Sequence, residues 1–123
     1  KAKNMGDGWE TRRRRDKGFD WLILNSIKGN KINKIEISTH HFKGNFPSHC
    51  SLQATYITNK KTSSSIVTDS NKWKLLLDKV KLSANKTHVF KNKLMTNNKI
   101  NYIKINIYPD GGISRFRMFG KSI

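Results

Sequence analysis

The sequence predicts an all-β fold, a β-sandwich or barrel, on three observations. Five short runs alternate or concentrate apolar residues, turn residues separate them, and no long segment carries a helical stripe. Strict alternation with β-branched residues is the pattern of half-buried strands, and several such runs split by turns point to a sandwich or barrel. A chain of 123 residues is one domain of common size and can bury a core.

The elements follow in order. "DWLILNS", Asp20 to Ser26, is an apolar run between Gly18 and Gly29 and predicts a first strand. "KINKIEIST", Lys31 to Thr39, predicts a second, with Ile35 and Ile37 on one face and Glu36 on the other. "SLQATYI", Ser51 to Ile57, alternates Leu52, Ala54 and Tyr56. The polar, low-complexity stretch from Asn59 to Asn71 reads as a mobile loop, because it has little to bury. "WKLLLDKVKL", Trp73 to Leu82, is the one helix candidate, but "DKVKLSA" has no helical stripe and an irregular segment is the alternative. "INYIKINIY", Ile100 to Tyr108, places Ile103, Ile105 and Ile107 on the core face and Lys104 and Asn106 toward solvent. "ISRFRMF", Ile113 to Phe119, sets Phe116 and Met118 opposite Arg115 and Arg117. "PDGG", Pro109 to Gly112, is expected to join these last two as a hairpin, since Pro fixes φ and glycine tolerates positive φ.

Charge and cysteine content narrow the function classes. The net charge is +17, but the 19 lysines are scattered among asparagines and isoleucines rather than clustered. The excess therefore reads as a solvated surface, with no specific nucleic-acid face. No apolar run approaches the ~20 residues of a membrane span, so no membrane partner is expected. Cys50 stands alone, which excludes an internal disulfide and fits a reduced, cytoplasmic setting with an inert thiol.

The segments with chemistry are three. "MGDGWETRRRR", Met5 to Arg15, sets Trp9 and Thr11 between acids and arginines, and Asp7 and Glu10 offset part of the positive charge. A floppy phosphate-binding arm does not need that composition, so the stretch reads as a pocket loop. "THHFKGNFP", Thr39 to Pro47, follows a strand directly and carries two histidines whose ordinary pKa suits proton transfer. Adjacent strand residues face opposite ways, so His40 and His41 do not share a metal, and no metal or other cofactor is expected. Asp110 lies five residues before Arg115 at a loop end, where it can either serve the turn or join a site.

Taken together, "DGWETRRRR", "HFKGNFP" and "PDGGISRFRMFG", in that order, resemble one repeat of the allantoicase family, from about Met5 to Gly120. The resemblance implies a jelly-roll β-sandwich of the galactose-binding-like kind. It also implies hydrolysis of allantoate to ureidoglycolate and urea in purine and ureide catabolism. Family members carry two repeats and some assemble further, so a second repeat and a homo-oligomer are the implied partners. The strands usual before "DGWET" are missing, so residues 1–123 are expected to be one repeat of a longer chain.

The resemblance also brings together residues from separate segments. It implies Glu10, His41 and Asp110 as acid and base groups. It implies Arg13 and Arg115 for the substrate carboxylate, with Arg12 or Arg117 as alternates, because arginine binds a carboxylate bidentately. Trp9, Lys43 and Asn45 are the further substrate-binding candidates. One departure stands out: where the family has an acid before the His-Phe motif, this chain has Ser38. The alternative function is therefore a catalytically silent recognition module of the same fold.

Overall fold

One strand of 19 residues organises the computed structural model, which describes residues 3–4, 9–10, 18–95 and 98–122. The strand order is β1 (Lys3–Asn4), β2 (Trp9–Glu10), β3 (Asp20–Ser38), β4 (His49–Thr55), then helix α1 (Ser63–Ser70). There follow β5 (Lys74–Lys81), β6 (Thr87–Phe90), β7 (Ile100–Tyr108), β8 (Gly112–Ile113) and β9 (Arg115–Ser122). The two runs expected as separate strands are both within β3. Its first half pairs with β7, from Asp20↔Ile107 to Asn25↔Tyr102. Its second half pairs with β9 on one side and β6 on the other. Between Asn25 and Asn30 the β7 register breaks. There Ser26 Oγ donates to Lys28 O at 2.9 Å and Asn30 Nδ2 donates to the same carbonyl. Side chains thus satisfy the backbone where the ladder changes partners.

Hydrogen bonding runs through β3 as one seven-stranded antiparallel sheet, folded there into two layers. One layer is β3–β7–β4–β5 and the other is β6–β3–β9–β1. Ile35, Ile37, Phe116 and Met118 of the second layer meet Cys50, Leu52, Ile103, Ile105 and Ile107 of the first in a single buried cluster. These are the inward positions of a period-two pattern, so the all-β expectation and the core faces agree with the sequence.

Four expectations are corrected. The run from Trp73 to Leu82 is strand β5 over most of its length, not a helix. Its consecutive buried leucines, Leu76 and Leu77, defeat simple alternation because the register with β4 shifts twice between Cys50 and Gln53. A bulge turns adjacent residues to one face and so erases the sequence signature. The Asn59–Asn71 stretch is not simply a loop but contains α1, with Thr62 Oγ1 accepting from Ser65 N at 3.1 Å as its N-cap. Lys104 and Asn106 do not face solvent and are only 2% and 3% exposed. Finally, β7 and β9 do not pair as a hairpin. "PDGG" instead leads into β8, which pairs with β2, as Trp9↔Ile113 and Glu10↔Gly112. Gly112 N donates to Asn45 O at 2.8 Å and Ser114 N to Ser38 O at 2.8 Å, which carries the chain across to the other layer.

Candidate functional site

Pairing across three strands builds the site. Ser38 is the Cα partner of Arg115 on β9 and of Thr87 on β6, and Glu36 is the partner of Arg117. With Ile35, Ile37, Phe116 and Met118 turned inward, these polar residues share the outer face of the same layer. They line an open cleft of about 510 Å³. His40 and His41 close its end, where β3 stops.

The floor is tied down by hydroxyls. Ser38 Oγ and Thr87 Oγ1 are 2.9 Å apart, and His40 Nε2 lies 3.0 Å from the same Thr87 oxygen. Glu36 sits between two cations, with Lys34 Nζ at 3.7 Å and Arg117 Nη1 at 3.9 Å. Arg117 is thereby partly engaged. Arg115 is exposed and, among the described residues, forms no ion pair. His41 has a left-handed backbone, φ 74°, and its N–H donates to Asn85 Oδ1 at 3.0 Å.

Of the candidates read from the sequence, the cleft brings together His41 and Arg115, with the alternate Arg117. Asp110 belongs to the adjoining turn and is not among the cleft residues. Lys43 and Asn45 are exposed on the segment between β3 and β4, also outside the cleft lining. That segment and the "PDGG" turn nevertheless pack directly. A Cβ at Gly111, whose φ is 128°, would lie 2.6 Å from the Phe46 carbonyl carbon, and one at Gly112 would strike the Phe42 ring. Both glycines are required by this close approach. Glu10 and Trp9 reach the same region through their backbone pairing with β8, while their side chains lie outside the description. Arg12 and Arg13 lie outside the described residues.

Sequence reasoning missed Glu36, Ser114 and Thr87 as members of the cleft and treated Ser38 only as a departure. The alternation of Glu36 and Ser38 with isoleucines, and of Arg115 and Arg117 with Phe116 and Met118, was the available signal. Thr87 had none, because its place depends on which strand pairs with β3. Elsewhere, Cys50 is fully buried and burial pushes its pKa up to about 12, so the thiol is inert as expected. Among the described residues no group of three or more His, Cys, Asp or Glu is placed to hold a metal ion, and no helix is long and apolar enough to cross a membrane.

The comparisons with known proteins agree on one family. The family model of the allantoicase repeat matches residues 1–123. A probable allantoicase of Acinetobacter baumannii (strain AYE) is 49% identical over 118 residues, covering 96% of this chain and 35% of the relative. A "Probable allantoicase 1" of Burkholderia mallei (strain ATCC 23344) is 48% identical over 117 residues, covering 95% of this chain and 34% of the relative. The crystal structure of allantoicase from Saccharomyces cerevisiae superposes with a TM-score of 0.73 at 29% identity, over 93% of this chain and 31% of that one. The chain thus spans about a third of the length of the curated relatives it matches.

Proposed function

We propose, from the premise that the chain belongs to the allantoicase family, that it takes part in hydrolysing allantoate to ureidoglycolate and urea. The observation that carries this reading is the shared cleft of Arg115 and His41, open to solvent and lined also by Arg117. Arg115 holds the substrate carboxylate, which a planar guanidinium does bidentately. Its Cα partner is Ser38, where the family has an acid, so no carboxylate at that position competes for the guanidinium. Arg117 is the weaker choice because Glu36 already faces it.

Hydrolysis adds the oxygen of water to the carbon that carried the departing ureido group, and the leaving nitrogen takes up a proton. His41 is the donor or the base on this rim, and such a transfer is worth ~10²–10⁴-fold in rate. Glu10 and Asp110, on segments that meet at β8 and its turn, supply the complementary group. Arg12, Arg13, Trp9, Lys43 and Asn45 complete the ureido and carboxylate contacts in this proposal. The working enzyme is cytoplasmic, with a second repeat and a homo-oligomeric assembly as partners. The relatives' threefold greater length supports the former.

Ser38 favours a second reading, a recognition module without catalysis, since its hydroxyl is occupied by Thr87 and supplies no acid. One assay separates the two. Urea released from allantoate by the intact protein, lost in Arg115→Ala through KM and in His41→Ala through kcat, supports the enzyme. Allantoate bound without urea release sinks it in favour of the module.

A further inference from the structure

The turn that carries His41 is held from outside the cleft by a segment that the reaction does not use. His41 has φ 74°, a backbone state that residues other than glycine adopt only when their surroundings enforce it. The enforcing contacts come from residues 82–86, between β5 and β6. Asn85 Oδ1 accepts the His41 N–H at 3.0 Å, and Asn85 N donates to Phe42 O at 3.2 Å. A single residue thus grips the turn on both sides of its left-handed position. Asn85 is itself left-handed, φ 50°, a conformation that asparagine tolerates better than most.

The grip is anchored in buried polar contacts. Thr39 is fully buried, and its Oγ1 donates to Ser83 O at 2.5 Å and accepts from Lys86 N at 3.1 Å. Thr39 N donates to Lys86 O at 2.8 Å, and Phe42 N to Thr39 O at 2.9 Å closes the turn. On the far side, His88 Nε2 accepts from Ser83 N at 2.8 Å while its Nδ1 lies 2.9 Å from Ile37 O. With Nε2 accepting, Nδ1 carries the proton and donates to Ile37 O. The segment that presents Asn85 is therefore fixed at both ends. Asn85 itself is exposed, so changing it removes no core packing.

We propose that Asn85 is a positioning residue for the reaction, holding His41 at the cleft through its main chain. The assignment rests on His41 acting there as proposed above. The test uses the intact protein with Asn85→Ala and Asn85→Asp. Alanine removes the acceptor and disfavours the left-handed backbone, whereas aspartate keeps both. For Asn85→Ala we expect kcat on allantoate to fall about tenfold or more with KM nearly unchanged, the order of loss from displacing a catalytic group without removing it. Asn85→Asp should recover most of the rate, because a carboxylate oxygen still accepts the His41 main-chain N–H. In parallel, the His41 ring resonances should move in Asn85→Ala and stay near their native positions in Asn85→Asp. Unchanged kcat together with unmoved His41 resonances in Asn85→Ala overturns the assignment, as does equal loss in both variants. If the unaltered protein releases no urea, the functional reading fails instead, and the His41 resonances alone decide whether Asn85 holds the turn.

Discussion

The outer faces of the two layers start from the same sequence pattern and end in opposite states. On β7 the residues between the isoleucines are Lys104 and Asn106, and on β3 and β9 they are Glu36, Ser38, Arg115 and Arg117. The second set lines an open cleft. The first is sealed. Lys104 Nζ donates to Ser70 Oγ and Asn71 Oδ1, both at 3.0 Å, at the end of α1, and lies 5.0 Å from the Trp21 ring centre. Asn106 Nδ2 donates to Gln53 Oε1 at 3.0 Å, and Gln53 in turn donates to Trp73 O at 3.1 Å. Among the described residues, Asn106 Oδ1 alone is buried there without a partner; the other contacts tie this covered polar face into the structure. A polar face left open keeps its capacity for a ligand.

Removing one cation from each face should separate these roles most sharply. Lys104→Ala leaves a cavity and two polar groups without their donor, and should cost about 2–4 kcal/mol. Its melting temperature should fall by roughly 10 °C. Arg115→Ala, on the open face, should stay within about 0.5 kcal/mol of the unaltered protein. Equal melting temperatures for the two variants would erase the distinction between the faces.

The converse experiment reads the ligand rather than the fold. Arg115→Ala should lower kcat/KM for allantoate about 10- to 100-fold, chiefly through KM, the scale of a lost charge-assisted hydrogen bond. Lys104→Met, which preserves the volume, should leave kcat/KM near its native value. A large kinetic loss in Lys104→Met would mean that the covered face communicates with the site.

Smaller effects sharpen the account of what does the covering. Thr62→Ala removes the N-cap of α1 and should cost about 1 kcal/mol, seen as a melting point a few degrees lower. No change would mean that α1 is held by the Lys104 contacts alone. The Lys104 amine has its pKa lowered from 10.5 by burial. The native state therefore releases this proton at lower pH than the unfolded chain does. Its contribution to stability must rise with pH between the native pKa and 10.5. The difference in melting temperature between the unaltered protein and Lys104→Met should accordingly shift in favour of the former across that window, and a shift the other way would contradict the burial.

How much was legible differs between the two faces. Ile35, Ile37, Ile103, Ile105, Ile107 and Phe116 announced the core, because a buried sheet face imposes period two on the sequence. His41 could be singled out by residue type and its place at a strand end, and Arg115 and Arg117 through the family resemblance. Glu36 and Thr87 could not, since their membership depends on which strands flank β3. Lys104 was misread as solvated because nothing local announces that α1 lies over it. Leu76 and Leu77 were misread because a bulge, a property of two strands together, breaks the alternation. The candidate stretch around "DGWETRRRR" contributes β2 opposite β8, and Arg12 and Arg13 lie outside the described residues.

The sequence by itself determined the all-β class, the inward faces of most strands, the inert cysteine and, through three motifs, the family. Those are properties of residue type and short-range order, written where the chain is read. Only the tertiary structure decided that two runs form the single strand β3, that "PDGG" enters β8 rather than a hairpin, and that one polar face is covered while the other stays open. Each of these depends on pairing and packing between residues far apart in the chain, for which adjacent residues carry no record.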